Sequence, residues 1–285
     1  MKSILLPLTA NIQAAPLLAV ASSLALQFRS SLTGLFIRPD PRSAIPFMGE
    51  GLTADMIQTL CDNAEKQGKR QADEAEAAFR AAADEHGLKW LAEGEPSDKA
   101  KASWSVLTGE VSDHVGRRAR TADIALCLQP DSKHLDTEDI FHDLIFRSGR
   151  SVLMVPSAYE GTVGKHLMIA WNGRAEGARA VAGALPMLRD AQTVTIVQVG
   201  DIGEDRPGAD AIAHYLAEHA IEANTRKIEA DNQTVGECLL KTAEMISADT
   251  IVLGAYSHSR WREMVLGGVT KHITAESQLP VFMSH

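Results

Sequence analysis

Cysteine is scarce in this chain. Three occur in 285 residues, Cys61, Cys127 and Cys238, an odd number with no CxxC pair. That excludes a disulfide framework and a zinc site of ordinary spacing, and leaves the thiols as small apolar groups in a reducing compartment. Long apolar runs are missing too. No stretch approaches the ~20 residues needed to span a bilayer, so no membrane is expected as a partner. The formal net charge of −9 comes with no basic stripe to offset it, which sets nucleic acid aside as well. Catalytic signatures are equally absent: there is no HExxH, no GxSxG elbow and no Walker loop. His214 and His219 are five apart and fall on different faces of a helix, so they make no metal pair. No acid is paired with a base for a committed reaction, and neither catalytic nor metal-binding residues are expected.

What is present is the composition of a soluble globular protein, 45% hydrophobic and 23% charged. The length suits two domains of ordinary size. Ile4–Leu8 reads as a buried strand, and Ile12, Ala15, Ala19, Ser22 and Leu26 follow at helical spacing. Lys2, the Ile4–Leu8 run and Ala19-Val20-Ala21 loosely imitate a secretory signal, but Pro7, Asn11 and Gln13 interrupt it. Leu32–Ile37 reads as a second strand and Arg38–Gly51 as an irregular, Pro- and Gly-rich excursion. Thr53 opens a long helix with Ile57, Leu60, Ala64, Gly68, Ala75, Phe79 and Ala82 on one stripe, stopped at His86-Gly87. Leu88–Leu91 is a third strand, Pro96–Lys101 a polar loop, and about Val106 to Arg118 a helix. Ala122–Leu128, a helix over Thr137–Arg147, and Ser151–Val155 complete five strands.

The same order then restarts. Strands at Lys165–Trp171, Thr193–Val199, Glu222–Ile228, Thr250–Leu253 and Pro280–Met283 alternate with helical segments. Among these, Thr234-Val-Gly-Glu237 has the form of a capping box. Leu8-Thr9-Ala10 matches Trp171-Asn172-Gly173, and Ile37 matches Val199. His86-Gly-Leu matches His219-Ala-Ile, and Thr121-Ala-Asp-Ile matches Ser247-Ala-Asp-Thr. The first strand and helix thus belong to one copy of a repeat, which argues for keeping them rather than cleaving them as a signal. Strands alternating with helices imply parallel sheets with right-handed crossovers. The expectation is an α/β protein of two tandem flavodoxin-like, Rossmann-like doubly wound domains, each with a five-stranded mostly parallel sheet. The first domain spans residues 1–156 and the second 165–285. Edge strands Val152–Val155 and Val281–Met283 are expected to pair them.

One stretch stands apart, Gly254 through Thr270. A strand, a small-residue loop and a helix start can receive an anion, because the first helical N–H groups lack partners and the helix dipole adds positive charge. Glycine permits close backbone approach. Gly254, two residues, Ser257, nine residues, then Gly267-Gly268 is the spacing to note. The first copy has Leu128 where Gly254 stands, Thr9 where Asn172 stands, and no glycine pair before its fifth strand.

On these motifs, the order of elements, the Ala-Asp before each fourth strand and the Leu279-Pro280-Val281 entry to the last, the sequence resembles the universal stress protein family in its tandem form. The resemblance covers nearly the whole chain except Arg38–Gly51. It implies ATP or a related adenine nucleotide, with Mg²⁺ as an accompanying ion, bound beyond the carboxyl ends of strands one and four of the second domain. Carried over position by position, the nucleotide-binding residues are Asn172, Val199, Gly254, Ser257, Gly267, Gly268 and Val269. Val199 would meet the adenine through its backbone, Gly254 the ribose, and Ser257 to Val269 the phosphates. Asn172 stands where the family's nucleotide binders usually carry Asp, Ser257 where they carry Gly, and Gly268 where they carry Ser or Thr. Arg260 and Arg262 would reinforce phosphate binding if they turn inward, and His258 lies in the same loop. The first domain, without the loop, is expected not to bind nucleotide in this way. The resemblance further implies a cytoplasmic stress-response protein, at most a weak ATP hydrolase, that signals to an unknown protein partner. It also implies an internal pseudo-dimer of the two domains, or a homodimer of tandem chains. A nucleotide-free interaction module is the alternative.

Overall fold

The computed structural model describes residues 1–10, 14–45, 53–256 and 268–285. The first half runs β1 (Ser3–Leu8), α1 (Ala15–Phe28), β2 (Ser31–Arg38), a 3-10 turn (Pro41–Ala44), α2 (Ala54–Glu85), β3 (Lys89–Trp90) and β4 (Lys101–Thr108). It continues with α3 (Val111–Ala119), β5 (Ile124–Leu128), α4 (Leu135–Arg147) and β6 (Ser151–Val155). The second half runs β7 (His166–Ala170), α5 (Ala175–Asp190), β8 (Thr193–Val199), α6 (Ala209–Glu218) and β9 (Asn224–Ile228). It ends with α7 (Val235–Met245), β10 (Thr250–Gly254), α8 (Gly268–Glu276) and β11 (Val281–Ser284).

The expectation of two separate five-stranded sheets is corrected here. All the named strands join one 11-stranded sheet in the order β3-β4-β2-β1-β5-β6-β11-β10-β7-β8-β9. Within it, β4-β2-β1-β5-β6 and β9-β8-β7-β10-β11 repeat a single order. Every pairing is parallel except β6 with β11, where Val281 faces Met154, Phe282 faces Leu153 and Met283 faces Val152. The two strands expected to pair do so, and the pairing fuses the sheets. Both are buried along their whole length, so each would otherwise leave a row of unsatisfied backbone groups away from water. The Oγ atoms of Ser151 and Ser284, 2.9 Å apart, extend the seam.

A second correction concerns the stretch read as a polar loop and then a helix from Val106. Lys101–Thr108 is a strand, paired with β2 along its full length. The Leu88–Leu91 segment keeps only the two residues of β3, an extra strand outside the repeated order. Ala102, Trp104 and Val106 alternate with Ser103 and Ser105, the period-2 pattern of a half-covered strand. Gly34 on β2 makes room for Trp104: a Cβ there would sit 2.6 Å from its ring. Gly109 (φ +141°) then turns the chain, and α3 starts only after Glu110.

Helices cover both faces. The cluster built from α1, α2, α5 and α6 buries Leu17, Leu24, Phe79, Val181 and Leu216 against Leu6, Phe36 and Ile196. On the other face, α3, α4, α7 and α8 bury Val115, Phe141, Leu239 and Ile273 against Leu35, Cys127 and Leu253. Phe36, Phe79, Phe141 and Phe282 are fully buried, each worth roughly 1.5–3 kcal/mol of transfer free energy. Both clusters cross the seam, one through Leu153 and Phe282 and the other through Met154 and Met283. On α2 the buried stripe is Gly68, Ala72, Phe79 and Ala83, while Met56 near its start is half exposed.

The matched tetrapeptides have a common structural cause. Asp123 Oδ2 accepts the N–H groups of Lys2 and Ser3. Asp249 does the same for the other half: its carboxylate accepts from Gly164 N (3.0 Å) and Lys165 N (2.8 Å). Each aspartate satisfies the backbone at the entrance to its half's first strand. The pair His86-Gly87 and His219-Ala220 is equally concrete. Both histidines are C-caps, and both following residues take positive φ, +71° at Gly87 and +57° at Ala220. Leu88 N and Ile221 N then reach back to Ala83 O and Leu216 O.

Candidate functional site

β7 lies between β8 and β10, so its carboxyl end is where strand order reverses in the second half. Open α/β sheets bind ligands at such points. A cleft of about 150 Å³ opens there. Asn172, Val199, Gly254, Gly268 and Val269, drawn from four separate places in the sequence order, all line it. Ser257 and Gly267 lie outside the described residues, as do His258, Arg260 and Arg262. Sequence reasoning missed the contribution of α7, whose Val235 and Leu239 form one wall, and that of Ile202. A signal for Val235 was available. The capping box at Thr234, with Thr234 N donating to Glu237 Oε2 at 2.7 Å, makes Val235 the first helical residue, and it stays partly exposed at 38%.

The five residues do not play one role. Gly254 ends β10, and a Cβ on it would stand 2.3 Å from Gly177 N and 2.6 Å from the Glu176 carbonyl carbon. Its lack of a side chain is required by the first turn of α5, independently of any ligand. Gly268 is the opposite case: a Cβ there meets nothing within 4 Å, and its φ is not positive. No contact among the described residues asks for glycine at this helix start.

Asn172 Oδ1 accepts from Arg174 N at 3.1 Å, a turn that orders the chain between β7 and α5. Gly173 (φ +70°) is packed against Arg206 Cβ and Pro207 O, so the loop before α6 closes over it. Trp171 is a wall of the cleft and also a core residue, 5% exposed, with Nε1 donating to Pro207 O at 2.7 Å. Val199 ends β8 opposite Ile228 and is half-buried.

Two hydrogen bonds hold the ends of the 257–267 stretch. Ala255 N donates to Ser284 O at 2.8 Å, and Tyr256 N donates to the Thr270 hydroxyl at 3.3 Å. Tyr256 takes φ +55°, strain that a non-glycine residue accepts only where its surroundings fix it. Its ring lies 4.8 Å from that of Phe146 on α4, so a residue of the first half packs on Tyr256 of the second. Burial raises the Tyr256 phenol well above its ordinary range, with a smaller contribution from Cys127. It therefore stays neutral, a packing group rather than a base.

Among the described residues, no group of three His, Cys, Asp or Glu side chains is placed to hold a metal ion. No helix there is long and apolar enough to cross a membrane.

Residues 165–285 match the universal stress protein family. Solved structures extend the likeness to the whole chain. A universal stress protein from Archaeoglobus fulgidus DSM 4304 superposes with a TM-score of 0.69 at 15% identity, over 99% of this chain and 97% of that one. A putative universal stress protein from Pseudomonas aeruginosa UCBPP-PA14 gives 0.58 at 16% identity, over 100% and 93%. The cytoplasmic domain of a prokaryotic cation chloride cotransporter gives 0.51 at 9%, over 99% and 95%. At these identities the structures speak for the fold alone. None of the curated proteins matches the chain.

Proposed function

We propose, from the match of residues 165–285 to the universal stress protein family, that the second half of this chain binds an adenine nucleotide, ATP in the first instance, as a regulatory ligand in the stress response. The observation that carries this reading is Gly268, where a Cβ would meet nothing among the described residues, at the start of α8 beside an apolar cleft at the switch point. Val197, Val199, Ile202 and Leu239 give that cleft the character of a base-binding pocket. At about 150 Å³ it is smaller than the sites that enclose whole ligands, so it suits the base end. The phosphates would then lie over the first N–H groups of α8, where unpaired donors and the helix dipole favour negative charge.

Asn172 would face the nucleotide as a neutral hydrogen-bonding group. Mg²⁺ would be held chiefly by the nucleotide's own phosphate oxygens, since Asn172 offers no charge to a hard cation. No residue described in the cleft is a general base, so binding rather than turnover is the output, with hydrolysis at most weak. The internal antiparallel pairing of the two halves gives such a signal a rigid frame, read by a protein partner from a cytoplasmic location.

A second reading is a nucleotide-free interaction module. What favours it is that Gly254 and Asn172 already have structural duties of their own. Isothermal titration of the full chain with ATP and Mg²⁺ separates the two. The nucleotide reading expects saturable heat that Gly268→Asp abolishes, by placing a carboxylate where phosphate would lie. Absence of heat at high protein concentration, together with no nucleotide released on heat denaturation, would leave the interaction module.

A further inference from the structure

The first half has a cleft of its own at the equivalent place. β1 lies between β2 and β5, so strand order reverses at its carboxyl end too. The cleft there measures about 520 Å³, within the range of small-molecule sites. Its lining comes from the segments that follow β1, β2 and β4, from one side of α2 (Ala64 to Gln71) and from the first turns of α3 and α4.

Its charge is of one sign. Asp40, Glu110, Asp136 and Asp139 all line it, and no lysine or arginine does so among the described residues. Asp40 is held by Arg42 in an ion pair at 2.6 Å. Neither an ion pair nor a side-chain hydrogen bond engages the carboxylates of Glu110, Asp136 and Asp139 among the described residues. A second and independent observation concerns a hydroxyl in the lining. Thr9, the residue after β1, is 8% exposed and lines this space. Its Oγ1 is buried with no hydrogen-bond partner among the described residues. A buried hydroxyl left unpaired is costly, and native structures seldom leave one without a reason.

We propose that this cleft is a second ligand site, taking a small aliphatic polyamine whose ammonium groups pair with Glu110, Asp136 and Asp139 and donate to Thr9 Oγ1. A single metal ion fits less well, because no three acidic, His or Cys side chains among the described residues converge closely enough to hold one. Carboxylates spread around the cleft rather than converging on a point match charges that are themselves spread along a chain. An anionic ligand is disfavoured by the same residues, so the two halves would select opposite charge. The inference is independent of nucleotide binding in the second half.

The test is titration of the full chain with spermidine at low and moderate salt, beside Asp136→Asn/Asp139→Asn and Thr9→Val. Saturable binding at one equivalent is expected, weakened at least tenfold in the double variant and several-fold in Thr9→Val, and reduced by salt. Thermal melts without ligand confirm that each variant is folded. If a variant fails to fold, Glu110→Gln, at an exposed helix cap, takes its place. Three outcomes would overturn the proposal. They are no saturation, binding undiminished in the carboxylate variants (which would mean diffuse attraction to a negative protein), and full displacement by equimolar Mg²⁺.

Discussion

After β5, α4 opens with Asp136 and Glu138 in its first turn. After β10, α8 opens with Gly268, Val269 and Thr270 and has no acid in its first turn. Strand order, helix faces and the aspartate that secures each first strand are the same in both halves. The difference lies in who satisfies the positive end of the helix. α4 carries its own negative charge there, which stabilises the helix and closes it to anions. α8 carries none, so no acid of its own first turn competes for those N–H groups. On the two proposals made above, one topology would present two sites of opposite preference, with the choice resting on a few residues just past the fourth strand of each half.

The comparison breaks most severely at the seam. Phe282 is fully buried opposite Leu153, and Phe282→Ala should cost about 3–5 kcal/mol. Because both apolar clusters cross the seam, urea unfolding followed by tryptophan fluorescence should still show one transition, shifted to lower urea. Two separated transitions would mean that the halves are independent units. Next in size is the contrast between two glycines. Gly254→Ala forces a methyl into the backbone of α5 and should cost about 1–3 kcal/mol. Gly268→Ala meets open space and should stabilise the fold by up to about 1 kcal/mol through the unfolded chain. Urea midpoints of opposite sign are expected, and a matching loss in both would remove the distinction between a packing glycine and a ligand glycine.

The smallest effect separates the halves by pH. Where α3 and α4 cross, Asp143 is buried, accepting from Gly116 N–H with Arg147 Nη1 at 3.4 Å. The corresponding contact of α7 with α8 packs His272 on Gly236. Burial raises the Asp143 carboxyl above its ordinary value, against the opposing pull of the Gly116 N–H and Arg147. With the folded pKa above the unfolded one, ionised Asp143 costs stability above that window, and the cost is relieved as pH falls through it. Asp143→Asn should therefore gain on the parent at about pH 8 and lose that gain by about pH 4. Melting temperatures across a pH series check this, and a gain independent of pH would place its origin elsewhere.

Much of this was legible in the sequence, for identifiable reasons. Parallel strands buried on both faces are continuous apolar runs, so Ile4–Leu8, Ser151–Val155 and Thr250–Leu253 stood out. β4 did not, because Ser103 and Ser105 break the continuous apolar run that marks its neighbours, and the apolar Leu88–Leu91 segment nearby filled the place of a third strand. Whether two edge strands merely touch or fuse two sheets depends on long-range pairing, for which composition leaves no trace. In the site, the family resemblance carried Asn172, Val199, Gly254, Gly268 and Val269 over as one set, and all five line a single cleft. It did not reveal that Gly254 answers to α5, since a close backbone approach reads the same whether the neighbour is a ribose or a helix. Val235 and Leu239 were missed because a cleft wall and a core stripe share one helical pattern.

The antiparallel meeting of β6 with β11 has a further consequence. In a symmetric dimer the same patch serves both sides, and any substitution is felt twice. Here a single chain carries both strands, Ser-Val-Leu-Met-Val on one side and Val-Phe-Met-Ser on the other. Dilution cannot part them, because each partner sees the other at a fixed effective concentration set by the connecting segment. Each side can also change without changing its counterpart. Tethering thus converts a symmetry constraint into a licence to differ, and the acidic start of α4 beside the bare start of α8 is that licence in use.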